Sequence, residues 1–174
     1  MKKILSLILV SFLLFGCGQS MNARTAVNDF FAKYIYMDDT VIDQLNSYVK
    51  TEGLNSKQEE LYKEIIKKQY RNLEYEILHE EYVDGGAYVD VKISVYDLFK
   101  AQKEAIDYYS KHLDEFKDSE DSFINYRLEK MNKQEDKYDY EIRLYVVSED
   151  NGYRVKQLSN DDLEKIHGIY NYEE

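Results

Sequence analysis

Few side chains in this sequence of 174 residues combine a reactive type with a spacing that chemistry requires. The single cysteine, Cys17, follows directly on a mostly apolar run, in Leu14-Phe15-Gly16-Cys17. With one thiol the chain can form no internal disulfide and no cysteine-rich metal site, so its fold must rest on its core alone. The three histidines, His79, His112 and His167, are too scattered for a sequence-local metal site. The acidic runs Asp118–Asp121 and Asp136–Glu141 lack the regular oxygen spacing and central glycine of a calcium loop. No G-x-S-x-G, Walker loop or G-x-G-x-x-G is present. The sequence therefore assigns no catalytic residue, no metal and no cofactor.

One titratable pair stands out. His79 and Glu81 continue the alternation of Leu73, Tyr75 and Ile77 beyond the point where its apolar character ends. Two readings of the pair stay open. Burial on a concave sheet face would tune a carboxylate or imidazole for proton transfer. Alternatively, both residues lie near a turn where the strand has already left the core. The ligand-facing positions expected on this strand and on a later one are Tyr75, His79, Glu81 and Tyr140.

The leader gives the clearest signal. Met1-Lys2-Lys3 is a short basic start, and Ile4 to Phe15 is apolar apart from Ser6 and Ser11, the layout of a secretory signal peptide. A membrane-crossing helix needs about 20 apolar residues, so this run is too short to span. Leu14-Phe15-Gly16-Cys17 resembles the lipobox of bacterial lipoproteins, with Phe15 larger than that position usually carries. The resemblance implies a diacylglyceryl, palmitate-type modification at Cys17, cleavage before it, and a lipid anchor on the outer face of the cell membrane. Two acyl chains, at about 0.8 kcal/mol per buried CH₂, suffice for stable anchoring. The expected organisation is a signal peptide over 1–16, a lipidated cysteine and tether over 17–24, and one α+β domain over 25–174.

Composition narrows the partners. The formal net charge of −11 becomes −13 once Lys2 and Lys3 leave with the leader. A body so acidic repels phosphate backbones and anionic lipid surfaces, which argues against nucleic acid and leaves the lipid to hold the protein at the membrane. The 18 Tyr, with no Trp and no Pro, fit either the codon bias of an A+T-rich genome or a carbohydrate-stacking surface. With the lipobox, they suggest a low-GC Gram-positive bacterium.

Periodicity supplies the elements that would position any site. Val27, Phe30, Phe31, Tyr34 and Ile35 predict one helix, and Val41, Ile42, Leu45, Tyr48 and Val49 a second. A third follows a capping box of Ser56 with Glu59. The period then drops to two across Leu73–Ile77 and Ala87–Val95. A three-residue loop over 84–86 is the expected connection, setting Ile77 against Ile93 and Tyr75 against Val95. Asp97 caps a helix carrying Leu98, Ala101 and Ala105, a shorter helix carries Leu128 and Met131, and a second hairpin turns at Asn151-Gly152.

The predicted class is α+β, a curled antiparallel sheet of about four strands against N-terminal helices, with a helical pair between two hairpins. In AVNDFFAKYI, AYVDVKISVYD and YDYEIRLYVVSEDNGYRV this order resembles the nuclear-transport-factor-two-like, or cystatin-like, cone fold, and small lipoproteins of unassigned function in Gram-positive bacteria. The resemblance implies a cavity under the sheet. The functional expectation is a surface lipoprotein that binds a small ligand, peptide or envelope protein without catalysis. The alternative is a small isomerase- or hydrolase-like enzyme working in that cavity.

Overall fold

A computed structural model of the chain describes residues 22–116 and 120–173. The leader, Cys17 and the expected helix break at Asp118-Ser119 lie outside the described residues. Among the described residues there are six α-helices and one antiparallel sheet of four strands, not closed into a barrel.

The first helix, α1 (Ala23–Ile35), starts two residues before the expected domain boundary, because Asn22 caps it through the Thr25 amide at 2.8 Å. Its end is a Schellman turn with methionine where glycine is usual. Met37 sits at φ 53°, its amide donates to the Tyr34 carbonyl, and the Asp38 amide donates to that of Lys33. The turn throws the chain into α2 (Asp39–Val49), whose first amides Asp38 caps. The third helix, α3 (Ser56–Arg71), is capped one residue earlier than expected. Asn55 and Gln58 form the box, because Asn55 Oδ1 accepts from the Gln58 amide while Gln58 Oε1 accepts from the Asn55 amide. The Ser56–Glu59 pattern stands one step too far inside the helix to serve.

The strands β1 (Glu74–Val83), β2 (Gly86–Tyr96), β3 (Lys137–Glu149) and β4 (Gly152–Val155) lie side by side in sequence order. Helices α4 (Leu98–Lys111) and α5 (Glu120–Asn132) connect β2 to β3, and α6 (Asn160–His167) follows β4. Asp97 caps α4 as expected. Ala87, Val89, Val91, Ile93 and Val95 of β2 are all fully buried, opposite Val146, Leu144, Ile142, Tyr140 and Tyr138 of β3. Helix α1 lies across this face and buries Ala26, Val27, Phe31 and Tyr34 against it. Phe31 stacks on Tyr75 with ring centroids 4.4 Å apart.

The first hairpin differs from expectation in a way that moves the candidate site. The loop has two residues, Asp84 and Gly85, because Val83 pairs with Gly86. Gly85 takes φ 81°, and a Cβ on Gly86 would lie 2.2 Å from the Val146 carbonyl oxygen. Taken alone, so short a loop would face glutamates to valines along the whole strand. A bulge at Leu78 prevents this: Ile77 pairs with Val91 and Tyr75 with Ile93, while His79 pairs with Asp90 and Glu81 with Tyr88. The extra residue returns the deep half of β1 to the apolar phase and leaves the half beside the turn in the opposite one.

A Cβ at Gly168, which sits at φ 74°, would meet the Tyr96 carbonyl oxygen at 2.2 Å. Gly168→Ala combines left-handed strain with backbone overlap and should lower stability by at least about 2 kcal/mol. Met37→Gly should raise it by about 1 kcal/mol, because the left-handed penalty of a non-glycine residue disappears. Urea unfolding midpoints of the two variants moving in the same direction would refute this account of the two turns.

Candidate functional site

The bulge decides where the expected ligand residues lie. His79 and Glu81 are exposed on the outer face of the sheet, away from α1. Glu81 is ion-paired there with Arg143, whose guanidinium also reaches Asp90 at 3.6 Å and lies 4.9 Å over the Tyr88 ring. The inward place beside Val89 belongs to Glu80, which accepts from Arg24 Nε at 2.8 Å at the start of α1. Tyr75 and Tyr140 do face inward: Tyr140 packs in the core, and Tyr75 stands at the sheet edge, where it also lines a shallow depression of about 340 Å³ with Glu74, Glu76, Lys92, Ser94 and Asp139. The Tyr75 hydroxyl donates to Asn28 Oδ1 at 3.1 Å, and that of Tyr140 donates to the Tyr170 carbonyl at 3.3 Å. The four residues are not brought together, because the bulge turns His79 and Glu81 to the outer face while α1 covers the face that carries Tyr75 and Tyr140.

A cavity among the described residues lies along the C-terminal turns of α1. It is a cleft of about 640 Å³, within the range of small-molecule sites. One wall is the end of α1 and the start of α2, held at an angle by the Met37 turn, with Phe30, Val41 and Leu45 as its apolar surface. The facing wall is the connection from β4 to α6, Arg154 to Asn160, followed by Leu163. Ser159 holds that connection in place by accepting from the Asp162 amide at 3.1 Å. Tyr70 of α3 and His167 of α6 also line the cleft, and both are 2% exposed.

These two residues are the most buried hydrogen-bonding side chains of the lining. The Tyr70 hydroxyl and His167 Nε2 are 2.8 Å apart, while His167 Nδ1 is buried with no partner among the described residues. The hydroxyl has no other acceptor there, so its proton goes to Nε2 and Nδ1 carries the imidazole N–H. A buried donor in this state costs about 1–3 kcal/mol. Burial lowers the His167 pKa from 6.5 to about 4, so the ring is neutral at physiological pH. Burial also pushes the phenols of Tyr34 and Tyr48 up to about 12 and that of Tyr70 further. Rings surround the imidazole: Tyr48 lies 4.9 Å from it and Tyr70 5.8 Å, while Tyr34 meets Tyr70 edge-on at 5.1 Å.

Charge on the lining is one-sided. No Asp or Glu lines the cleft, although about one residue in five of the chain is acidic, whereas Lys33, Arg154 and Lys156 all do. A sequence signal for this existed. The segments 30–36 (FFAKYIY) and 153–160 (YRVKQLSN) carry cations and no acid within an acidic chain, but they are more than a hundred residues apart. No group of His, Cys, Asp and Glu among the described residues is arranged to hold a metal ion. No family model matches the chain, and no curated protein or solved structure matches it either.

The neutral His167 gives a pH dependence whose sign is fixed. The unfolded ring takes a proton near pH 6.5 and the folded ring only near 4, so its contribution to stability is complete above 6.5 and is lost as pH falls through that window. The full span corresponds to about 3 kcal/mol. Urea midpoints recorded from pH 7 down to 5 should fall, and His167→Phe should flatten that decline. An equal decline in the variant would place the responsible proton elsewhere.

Proposed function

We propose that the chain is a lipid-anchored surface protein of the bacterial cell membrane whose domain binds a small ligand in the cleft between α1, α2 and the β4–α6 connection. The observation that carries the binding half is the cleft itself. Phe30, Val41, Leu45 and Leu163 give it apolar surface, and Lys33, Gln44, Lys156 and Asn160 stand among them as polar groups. A concave site that offers both apolar surface and convergent polar groups suits a small amphipathic molecule.

The anchoring half rests on Leu14-Phe15-Gly16-Cys17 and the short apolar run before it. No helix among the described residues is long and apolar enough to cross a membrane. On this reading attachment falls to the modified Cys17 alone, since the net charge disfavours adsorption to anionic lipid.

Each half has its own test. Cys17→Ala should move the protein out of the detergent phase when cells are extracted and partitioned, and identical partitioning of wild type and variant would end the anchor reading. Gln44 is exposed on the cleft wall, so Gln44→Trp should fill the space without disturbing the core. With 2-naphthamide as a neutral aromatic probe, calorimetric titration should show affinity falling at least about ten-fold in this variant at unchanged thermal stability. Equal affinity in the variant would remove the cleft as the site.

A further inference from the structure

We infer that the ligand of this cleft is a small amphipathic anion, with its acidic head held at the rim by Lys33 and Lys156 and its apolar body lying over Phe30, Leu45 and Leu163. The inference rests on the binding reading above and adds the sign of the ligand's charge.

The three cations of the lining are not equivalent. Arg154 is occupied, its guanidinium bonded to Glu149 Oε1 at 2.6 and 3.2 Å. Lys33 and Lys156 are exposed and make no ion pair among the described residues, so both ammonium groups remain available to a ligand. Lys33 acts on Asp38 only at longer range, and Asp38 is itself engaged with the backbone and hydroxyl of Thr40. The first turns of α2 and α6 also reach the cleft, but Asp38 and Ser159 already cap them, so the positive character comes from the lysines.

The overall charge of −11 does not override this local sign. Screening at physiological ionic strength confines an exposed charge to about 8 Å, so the groups lining the cleft outweigh acids on the far side of the molecule. Acids do stand beside the lining, but each is engaged: Asp38 accepts from Thr40, Asp162 accepts from the Ser159 hydroxyl and faces Lys165 at 3.7 Å, and Glu149 is paired with Arg154, while Glu52 and Glu164 act on Tyr48 from outside the lining. An acidic body with an acid-free cleft repels anions generally and accepts them at one place, whereas a cationic ligand would meet like charge at the rim.

The test uses three probes that share one aromatic body and differ only in the head: naphthalene-2-carboxylate, 2-naphthamide and 2-naphthylmethylammonium. In calorimetric titrations of the full chain the carboxylate should bind at least about ten-fold more tightly than the amide, and the ammonium most weakly. Lys33→Glu with Lys156→Glu should reverse the order of the two charged probes, with the amide between them. If the amide binds, is excluded by Gln44→Trp and is matched by both charged probes, the cleft stands as the site and the anion inference falls. If binding of all three survives Gln44→Trp, or none binds, the cleft reading falls with it.

Discussion

Gln69 is fully buried, and both ends of its amide are used: Oε1 accepts from the Tyr96 amide at 2.9 Å, and Nε2 donates to the Ile166 carbonyl at 3.3 Å. One side chain on α3 thereby ties together the end of the central strand and the last turn of α6. Gly168 completes the junction. Its carbonyl accepts from the Phe99 amide at 2.8 Å, and its missing side chain lets the Tyr96 backbone approach. A buried amide with one end unmatched would cost about 1–3 kcal/mol, so the three elements have little freedom to separate. The cleft depends on this junction, because Tyr70 and His167 are the immediate neighbours of Gln69 and Gly168 in the chain.

The elements were legible in the sequence because period and burial agree. The alternation Ala87–Val95 is a strand with one wholly buried face, and the helical spacing of Val27, Phe31 and Tyr34 is the stripe that covers it. Register was less legible. Alternation gives the phase of a strand but carries no mark for an inserted residue, and in β1 the two phases are both internally consistent on either side of Leu78. His79 and Glu81 therefore continued the inward face on paper. In the folded chain Glu80 turns in instead, and it meets Arg24.

The cleft could not be found the same way. Its walls come from the end of α1, the start of α2 and the β4–α6 connection, which share no motif and are joined only by the tertiary fold. Its most informative feature is an omission, the absence of acids on its lining, and omission becomes visible only once neighbours are known. The expected cavity under the sheet was filled for a reason that sequence did state. Phe30, Phe31 and Tyr34 are bulky enough to occupy a concave face, and Phe31 and Tyr34 are buried in it while Phe30 is left beside the cleft.

The geometry of α1 also relates the two halves of the proposed function. Cys17 precedes Asn22, the cap of α1, by five residues, a reach of at most about 18 Å when extended. On the lipid-anchored reading, the N-terminal end of α1 is thus the part of the domain held nearest the bilayer. The helix runs for 13 residues, roughly 20 Å at 1.5 Å per residue, and the cleft opens along its last turns, at Lys33 and Tyr34. On that reading the anchor joins the chain ahead of one end of α1, while the cleft is lined by the turns at the other. A ligand would reach the cleft without passing beneath the domain, and the negative surface potential of anionic lipids, which falls off within a Debye length, would not oppose an anion arriving there.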